Sequence, residues 1–488
     1  MNVRKASLTL EAALLLWFLA ATVAHNHIGW ADNCDYTRSM QWVTPGPVGF
    51  ERNFPPEGTE EFERRFYNYW LPYWKLEPHL ELPRTSALVL WLPGALLNYV
   101  FYSRAVLYLP AISYFSKALM FAFLVLALEW LRRRERGGLL LLLSVGVPLT
   151  LCLTTTSYFA YLNTFYQESA ALVFLLLLCA ALLLLKQTGQ ARYLLAALAA
   201  LLLLSLAKMS CIYWPVLASP FIFYAWSRRN SAAWHVPVVA AVIVALDFTF
   251  IGTRRPLGVT IVENPYHRLF FGALVFSKDP AAQLRRLQLP DDMVRCVDVG
   301  GFDPLGRTCL KQVNYRVPHS AMVRAILYEP VIAWKMEHYA LVQMQDISLD
   351  YLGLRVMSEA PPPHPYEARK PLSISRHRLD ERYPFWDLWG KLKHYCFPRG
   401  TLLLAGYAAL LGWFVWQWYR ADEDGEGLAM LGCMCTIGSF IDMNVAIFGD
   451  GRMEMIKHLF LANVLFDLAA IAFVGTIALQ VWSRRKTG

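Results

Sequence analysis

The stretch SAALVFLLLLCAALLLL (169–185) contains no charged residue and decides the class of fold. A helix that crosses the hydrocarbon core of a bilayer needs about 20 mostly apolar residues. Similar apolar runs recur along the 488 residues, of which 56% are hydrophobic and only 17% are charged. A typical soluble domain has roughly 25% charged residues. The sequence therefore predicts an all-α polytopic membrane protein.

The basic residues predict how the chain is oriented. Cytoplasmic loops of membrane proteins carry an excess of Lys and Arg. The basic clusters each fall at one end of an apolar run: Arg4–Lys5, RRRER (132–136), Lys186 with Arg192, SRRN (227–230) and SRRK (483–486). They account for the net charge of +9 without a nucleic-acid partner. Placing them inside leaves both termini in the cytoplasm.

This orientation predicts about ten transmembrane helices. Their expected positions are 7–25, 107–131, 138–158, 168–186, 191–207, 210–227, 235–252, 399–419, 428–447 and 459–482. The first run follows a basic MNVRK segment, as in a secretory signal, but its cleavage site is loose and we expect it to be retained. Pro93 and Gly94 interrupt the apolar stretch 87–102, which predicts an interfacial or re-entrant helix.

Three parts of the chain follow from this path. Residues 1–252 form an N-terminal transmembrane module of seven helices, with a first extracytoplasmic loop at 26–106 that contains the interfacial helix. Residues 253–398 form an extracytoplasmic loop domain, predicted to be small, folded and α-rich. Residues 399–488 form a C-terminal transmembrane module of three helices. Nearly half of the chain thus lies on one face, which is typical of a membrane-embedded enzyme rather than of a transporter with internal repeats.

The first candidate site lies in the loop after the first helix. Asp32 and Asp35 stand there beside Arg38 and three aromatic residues. A carboxylate at this position could act as a general base toward an acceptor hydroxyl, and Arg38 could bind a phosphate. An ordinary solvated loop is the alternative for any single acid.

The second candidate site lies between two apolar helices at their outer turn. Asn163, Tyr166, Gln167 and Glu168 stand together there. Amide and carboxylate groups bind sugar hydroxyls, and aromatic rings pack against the apolar face of a sugar. An interfacial aromatic belt is the alternative explanation.

The third candidate site lies in the stretch before the last helix. If the chain is helical from Asp450, then Asp450, Glu454, Lys457 and His458 share one face. Lys457 and His458 would then lie where the phosphate of a lipid-linked sugar is expected. Snorkelling cations are the alternative.

The fourth candidate site opens the second loop. His267 and Arg268 follow its first residues and could also bind an anion. The same loop contains Cys296 and Cys309, whose bridging is compatible with an extracytoplasmic location but does not follow from their spacing. No CxxC pair or His/Cys set suggests zinc.

Ionisable residues also fall inside predicted spans, where they normally pair or line a cavity. These residues are Lys117, Asp247, Asp442 and Asp467. We expect Lys117 to form a structural pair with Asp442 or Asp467.

Three stretches resemble a known superfamily. They are CDYTRSM (34–40), YHRLFFGALVFSKDPAAQLRRLQL (266–289) and GDGRMEMIKHLFLANVLFD (449–467). Together with the acid-bearing first loop, they resemble GT-C glycosyltransferases, and more narrowly bacterial glycan hexose transferases of the WsfD type. The resemblance extends over most of the chain in order.

The resemblance implies inverting transfer of a sugar from a polyprenyl-phosphate donor to a glycan or lipid-linked acceptor. It places the enzyme in a bacterial cytoplasmic membrane with an extracytoplasmic active site, and it gives Asp35 the role of base with Asp32 in reserve. Lys457, His458, Arg268 and Arg38 would stabilise the phosphate. The remaining candidates, Asp450, Glu454 and His267, would join the second site in binding sugar or acceptor.

No nucleotide site or cofactor is expected. Some members hold a divalent metal beside paired acids, but the DNCD spacing (32–35) departs from that motif. Two other classes stay open. An O-antigen-ligase-like transferase would use a lipid-diphosphate glycan, and a lipid-linked glycan flippase or transporter would need a cationic cavity among its spans.

Overall fold

The computed structural model describes most of the chain and leaves several loop segments aside. The described residues are 3–30, 32, 36–40, 43–46, 72–78, 85–133, 138–228, 239, 241–245, 258–301, 304–313, 317–318, 320–347, 354–356, 386–420 and 423–487. The sequence predictions for Asp35, Asp247 and most of the 235–252 span concern residues outside these ranges.

The structure is mostly helical. In its first half the helices are α1 (Val3–Ala24), α2 (Tyr36–Ser39), α3 (Leu88–Phe101), α4 (Tyr114–Arg132), α5 (Gly138–Leu141), α6 (Val147–Leu153), α7 (Thr156–Leu162), α8 (Glu168–Thr188), α9 (Ala191–Ser205) and α10 (Trp214–Ser227). A π-helical turn (Leu142–Gly146) joins α5 to α6, and 3₁₀ turns occupy His25–His27, Leu109–Ser113 and Met209–Cys211.

The second half continues with helices of the long loop and then of the C-terminal bundle. They are α11 (Gly258–Phe270), α12 (Pro280–Arg286), α13 (Pro304–Val313), α14 (Ala321–Tyr328), α15 (Val331–Gln343), α16 (Leu388–Cys396), α17 (Thr401–Arg420), α18 (Glu423–Asp450), α19 (Met455–His458) and α20 (Phe460–Thr487). Further 3₁₀ turns occupy Ala273–Phe276 and Asp291–Cys296.

Two small antiparallel pairs of strands connect distant parts of the chain. Strand β1 (Ile28–Trp30), directly after the first helix, pairs with β4 (Leu354–Val356) from the second loop. Strand β2 (Tyr73–Lys75) pairs with β3 (Val106–Tyr108), just before α4. The first pair therefore connects the two long loops to each other.

The protein is a multi-pass membrane protein by the length and apolar character of its helices. Six helical stretches in the described residues can cross a bilayer: Val3–His27, Leu109–Arg132, Glu168–Thr188, Thr401–Arg420, Gly425–Asp450 and Phe460–Trp482. A seventh candidate combines Gly138–Leu153 with Thr156–Leu162, bent by 52° between them. These seven match predicted spans.

Three further spans were predicted, at 191–207, 210–227 and 235–252, and most of the last lies outside the described residues. Helix α9 has 15 residues and α10 has 14, which is shorter than the length of about 20 that spans a bilayer without thinning or tilt. Helix α3, predicted to be interfacial, also has only 14 residues. It lies so close to the next turn that a Cβ on Gly94 would meet the Ala111 carbonyl oxygen at 2.0 Å. Glycine is therefore required there.

Buried polar groups hold the helices together. The Asn163 side-chain amide donates to the carbonyls of His25 (2.8 Å) and Ile28 (2.6 Å). Its oxygen accepts from the Ser113 hydroxyl (2.9 Å) and the Lys117 ammonium (2.8 Å). One carboxamide thus joins the end of the first span to α4 and to the residues after α7.

The expected pairing of Lys117 with an aspartate is wrong. Lys117 binds the side-chain oxygens of Asn26 (3.2 Å) and Asn163 instead. Asp442 accepts from the Tyr213 hydroxyl at 3.3 Å. The cation bound to Asp467 is Lys393, which comes from α16 and lies 2.9 Å away, and both side chains are fully buried. Sequence periodicity could not find this pair, because α16 is outside the predicted spans.

The long loop and the C-terminal bundle share one hydrophobic core. Buried residues of α11 such as Leu269 and Phe270 belong to the same cluster as Met443 of α18 and Phe466 of α20. A disulfide between Cys296 and Cys309 closes the loop before α13. The described helices of the loop are therefore packed against the ends of the spans.

The buried Lys393–Asp467 pair generates a prediction about stability. Lys393→Met leaves the Asp467 carboxylate without its cation, and we expect a loss of about 3–5 kcal/mol in the free energy of unfolding. The measurement is denaturant or thermal unfolding in detergent. Arg285→Gln, which removes an exposed ion pair with Asp291, is the control and should cost no more than about 1 kcal/mol. Equal effects of the two variants would contradict a structural role for the buried pair.

Candidate functional site

The candidate site is built around a turn between α18 and α19. The condition that the chain be helical from Asp450 is not met, because α18 ends at Asp450 and α19 begins at Met455. Two residues between them have left-handed backbone conformations, Gly451 (φ +64°) and Glu454 (φ +43°). A Cβ on Gly451 would lie 2.5 Å from the His267 carbonyl oxygen. The turn therefore brings α11 against the end of α18.

Asp450 is the centre of the site. One carboxylate oxygen lies 3.1 Å from His267 Nδ1, and the other lies 3.2 Å from His458 Nε2. A carboxylate only accepts hydrogen bonds when ionised, so each of these ring nitrogens donates to it. Asp450 and His458 therefore do not share one face of a single helix. They form a direct hydrogen bond across the turn instead.

The second nitrogen of His267 is also engaged. The Gly301 backbone N–H donates to His267 Nε2 at 3.1 Å. A Cβ on Gly301 would lie 2.6 Å from the same nitrogen, so glycine permits the approach. Gly301 belongs to the loop that the Cys296–Cys309 disulfide closes. His267 is buried, with 2% of its side chain exposed, and holds Asp450 in place.

His458 leads from Asp450 to a second charged pair. Its Nδ1 lies 3.3 Å from the Lys208 ammonium, which in turn binds the Glu168 carboxylate at 2.6 Å. Glu168 begins α8 and is buried. A continuous polar chain therefore runs from Glu168 through Lys208 and His458 to Asp450.

Lys208 was not singled out from the sequence. It lies just after α9, within the sequence SLAKMSC (205–211), and precedes the 3₁₀ turn Met209–Cys211. The available signal was a single lysine between two apolar helices, at the end opposite their basic cytoplasmic clusters. Its partners are 40 and 250 residues away along the chain, so spacing could not identify them.

Lys457 and Glu454 form a second ion pair next to this chain. The Lys457 ammonium also lies 5.3 Å from the centre of the Tyr166 ring. Only 4% of the Lys457 side chain is exposed. Tyr166, predicted to contact a sugar, therefore packs against the cation predicted to bind phosphate.

Tyr161 contributes a buried hydroxyl to the same region. The ring packs on Phe460 with centroids 4.3 Å apart, and it interacts electrostatically with Glu168 and Glu454. The hydroxyl makes no hydrogen bond with the part of the protein that the structure describes. A buried hydroxyl without a partner costs free energy, and a bound polar group could recover it.

The other predicted residues have different surroundings. Arg268 donates from Nε to the Gly449 carbonyl at 2.5 Å, at the end of α18. Burial lowers the pKa of its guanidinium, and the charge of Asp450 opposes that effect. Gln167 precedes α8 and is partly exposed. Asn163 is fully buried and bonds to backbone, Ser113 and Lys117, which gives it a structural role.

The acidic first loop lies beside these elements. Asp32 is buried, and one of its oxygens accepts from the Tyr36 N–H at 3.5 Å. Trp30 Nε1 donates to the Ser157 carbonyl, and Ser39 Oγ donates to the Phe165 carbonyl. The described parts of this loop therefore pack on the segment that leads to Glu168. Asp35 and the side chain of Arg38 are outside the described part of the chain.

The exposure of the polar chain varies along its length. Lys208, His458 and Asp450 have 19%, 20% and 22% of their side chains exposed. Glu168 is at 4%. The accessible edge thus carries an ammonium, an imidazole and a carboxylate, a set that can bind an anion and move a proton. Among the residues that are described, no three His, Cys, Asp or Glu side chains are grouped to hold a metal ion.

Comparison with known proteins identifies a family. Residues 2–357 match the family model of the YfdI N-terminal transmembrane domain, so the chain belongs to this family. The matched part includes Glu168, Lys208 and His267, whereas Asp450 and His458 follow it. No curated protein and no protein of solved structure matches the chain.

The turn after Asp450 generates a second prediction. Gly451→Ala places a Cβ in the left-handed region, which costs about 1–2 kcal/mol, and against the His267 carbonyl. We expect a lower midpoint of thermal unfolding, measured by tryptophan fluorescence in detergent.

Gly449→Ala is the matched control two residues earlier. A Cβ there meets nothing within 4 Å, and alanine favours the helix by about 0.5–1 kcal/mol. An unfolding midpoint for Gly451→Ala at or above that of Gly449→Ala would contradict the description of the turn.

Proposed function

We propose that this member of the YfdI N-terminal transmembrane domain family is an integral-membrane inverting glycosyltransferase of the GT-C type. Its donor is a polyprenyl-phosphate sugar, and its acceptor is a glycan or lipid-linked glycan. The reaction takes place at the extracytoplasmic face of a bacterial cytoplasmic membrane, with both termini in the cytoplasm and about ten helices in the bilayer.

The observation that carries the proposal is the polar chain Glu168–Lys208–His458–Asp450. Its members come, in that order, from the first residue of α8, the connection after α9, the end of α19 and the end of α18. All four therefore stand at helix ends rather than inside spans. A lipid phosphate has its charged group at this depth and its hydrocarbon chain beside the helices.

The cations suit a phosphate leaving group. Cleavage of the bond between the anomeric carbon and the donor phosphate leaves negative charge on the phosphate oxygens. Charge-assisted hydrogen bonds from positioned cations stabilise such charge. Lys208 is more exposed than Lys457, so it takes the leading role in contacting the phosphate, with Lys457 behind it.

The neighbouring groups suit a sugar. The Tyr161 hydroxyl has an unused hydrogen-bonding capacity within the described residues. Tyr166 and Glu454 both contact the Lys457 ammonium. These groups provide hydroxyl donors, acceptors and an aromatic face for a hexose next to its phosphate.

The reaction also requires a base that removes the proton of the acceptor hydroxyl. The resemblance assigns this role to Asp35, with Asp32 in reserve. The packing of Trp30 and Ser39 on the segment before Glu168 supports placing the first loop over the site. In-line attack on the anomeric carbon then inverts its configuration.

The buried charges inside the bundle argue against a transport pathway. Lys117 is bonded to asparagines, and Lys393 is paired with Asp467. A flippase for an anionic lipid needs unneutralised cations along its spans. The described cations that remain accessible in this region stand at one end of the helices instead.

Lys208 provides the test of this proposal. We expect Lys208→Gln to weaken binding of polyprenyl phosphate by about tenfold or more, the loss of one charge-assisted hydrogen bond of about 1.5–3 kcal/mol. Binding is measured by titration of the purified protein in detergent. The companion assay is transfer of label from a polyprenyl-phosphate hexose to the lipid-linked glycan fraction of membranes from the source organism.

Lys278→Gln is the matched control, because the Lys278 side chain is exposed and its backbone N–H bonds to Glu329, which is not a member of this cluster. It should bind polyprenyl phosphate like the wild type. Equal affinity of Lys208→Gln and wild type would refute the phosphate site, and absence of any sugar transfer by the wild type would refute the activity.

A further inference from the structure

The hydrogen bonds around His458 determine which ring nitrogen carries the proton. The Lys208 ammonium has donors only, so Nδ1 of His458 accepts from it. The proton of the neutral ring is therefore on Nε2, which donates to Asp450. A carboxylate that fixes one imidazole nitrogen and leaves the other toward a reacting group is the arrangement of general-base histidines.

The orientation of the Asp450 carboxylate is fixed by its hydrogen bonds. Its second oxygen is held by His267 Nδ1, and the other side of His267 is held by the Gly301 N–H. Both carboxylate oxygens are thus occupied by imidazole donors from two separate segments. Two such hydrogen bonds restrict the carboxylate more than an ion pair with a flexible lysine would.

Nδ1 of His458 is masked by a movable group. Among the described residues, Lys208 is the only donor to Nδ1, and a lysine side chain has four rotatable bonds. The phosphodiester of the donor carries one negative charge and competes for the Lys208 ammonium with the equal charge of Glu168. Movement of Nζ toward the phosphate leaves the Nδ1 lone pair available.

We propose that His458 is the general base of the transfer, and that binding of the donor phosphate to Lys208 uncovers it. The inference rests on the proposed function and replaces Asp35 and Asp32 in the base role. Asp450 and His267 are positioning residues. The family resemblance does not provide this assignment, which comes from the bonds of His458.

In the sugar transfer, one bond to the anomeric carbon forms as another breaks. The acceptor oxygen forms a bond to the anomeric carbon, and its proton moves to Nδ1 of His458. The bond from the anomeric carbon to the phosphate oxygen breaks, and its electron pair stays on the phosphate. The resulting imidazolium is stabilised by Asp450 and returns its proton to water after the products leave.

Gating by Lys208 has a chemical advantage. With the donor absent, Nδ1 is covered and cannot activate water or an acceptor. With the phosphate bound, base and leaving-group stabilisation become available together. The acceptor is therefore activated only beside a donor.

The charges that face His458 come from several elements. Asp450 on α18 and Lys208 after α9 contact it directly. Glu168 on α8 is bonded to Lys208. The Glu454–Lys457 pair lies in the same segment of the chain as His458. Asp442 on α18 interacts electrostatically with Lys208.

The experiment uses the full-length protein in proteoliposomes with a labelled polyprenyl-phosphate hexose and the lipid-linked glycan fraction as acceptor. We expect His458→Gln to lower kcat by about 100-fold or more, the usual contribution of a general base. Its affinity for polyprenyl phosphate should stay close to that of the wild type. His394→Gln, an exposed histidine on α16, is the matched control and should keep full activity.

Asp450→Asn tests the positioning role with a readout that simple loosening would not change. Removing the carboxylate disfavours the protonated imidazole, so the acid limb of the kcat/KM profile should move to lower pH while kcat falls. This variant also decides the question if His458→Gln fails to fold.

The failures of the two proposals are distinguishable. A wild type that transfers sugar, together with an active His458→Gln and an inactive Asp35→Asn, overturns the His458 assignment and leaves the transferase standing. An active Asp450→Asn variant whose kcat/KM profile keeps its acid limb at the wild-type pH would also overturn the His458 assignment. A wild type without any transfer refutes the transferase itself.

Discussion

The carboxylate of Asp450 is the constraint on which the polar end of the molecule depends. It receives hydrogen bonds from His267 and His458, so it fixes α11 and α19 against the last turn of α18. Removing it would leave two imidazole donors and the Lys208 ammonium around a partly buried space. The glycines at 301 and 451 serve the same constraint, because any side chain there would push His267 away.

Inside the helical bundle, buried polar groups are paired with one another. Water is absent from the bilayer core, so each polar group within the bundle needs a partner from the protein. Asn163 satisfies Lys117 and two backbone carbonyls at once, and Asp467 satisfies Lys393, Tyr158 and Trp389. Because these groups are matched inside, the accessible charge is concentrated at the helix ends.

The fold and the candidate site were predictable from the sequence to different degrees. Apolar runs are local signals, and they located seven of the helical stretches that can span a membrane. Residue chemistry also identified Glu168, Asp450 and His458, since ionisable groups beside apolar runs are costly to place. Partners were not predictable, because Lys208 and His458 are joined across 250 residues. The helix considered from Asp450 is interrupted at Gly451 and Glu454, which have left-handed backbone conformations, and Gly451 packs against His267 of α11.

The distance between Glu168, Lys208 and His458 along the chain also sets an order of events during synthesis. Lys208 follows Glu168 by 40 residues, and His458 follows Lys208 by 250. At about 5–20 residues per second, the ribosome needs about 12–50 s to add that second interval. A lone charge costs about 2.5–3.5 kcal/mol at the centre of a bilayer, and less at a helix end. Glu168 and Lys208 can neutralise each other throughout this wait, and His458 is the last member of the group to be synthesised.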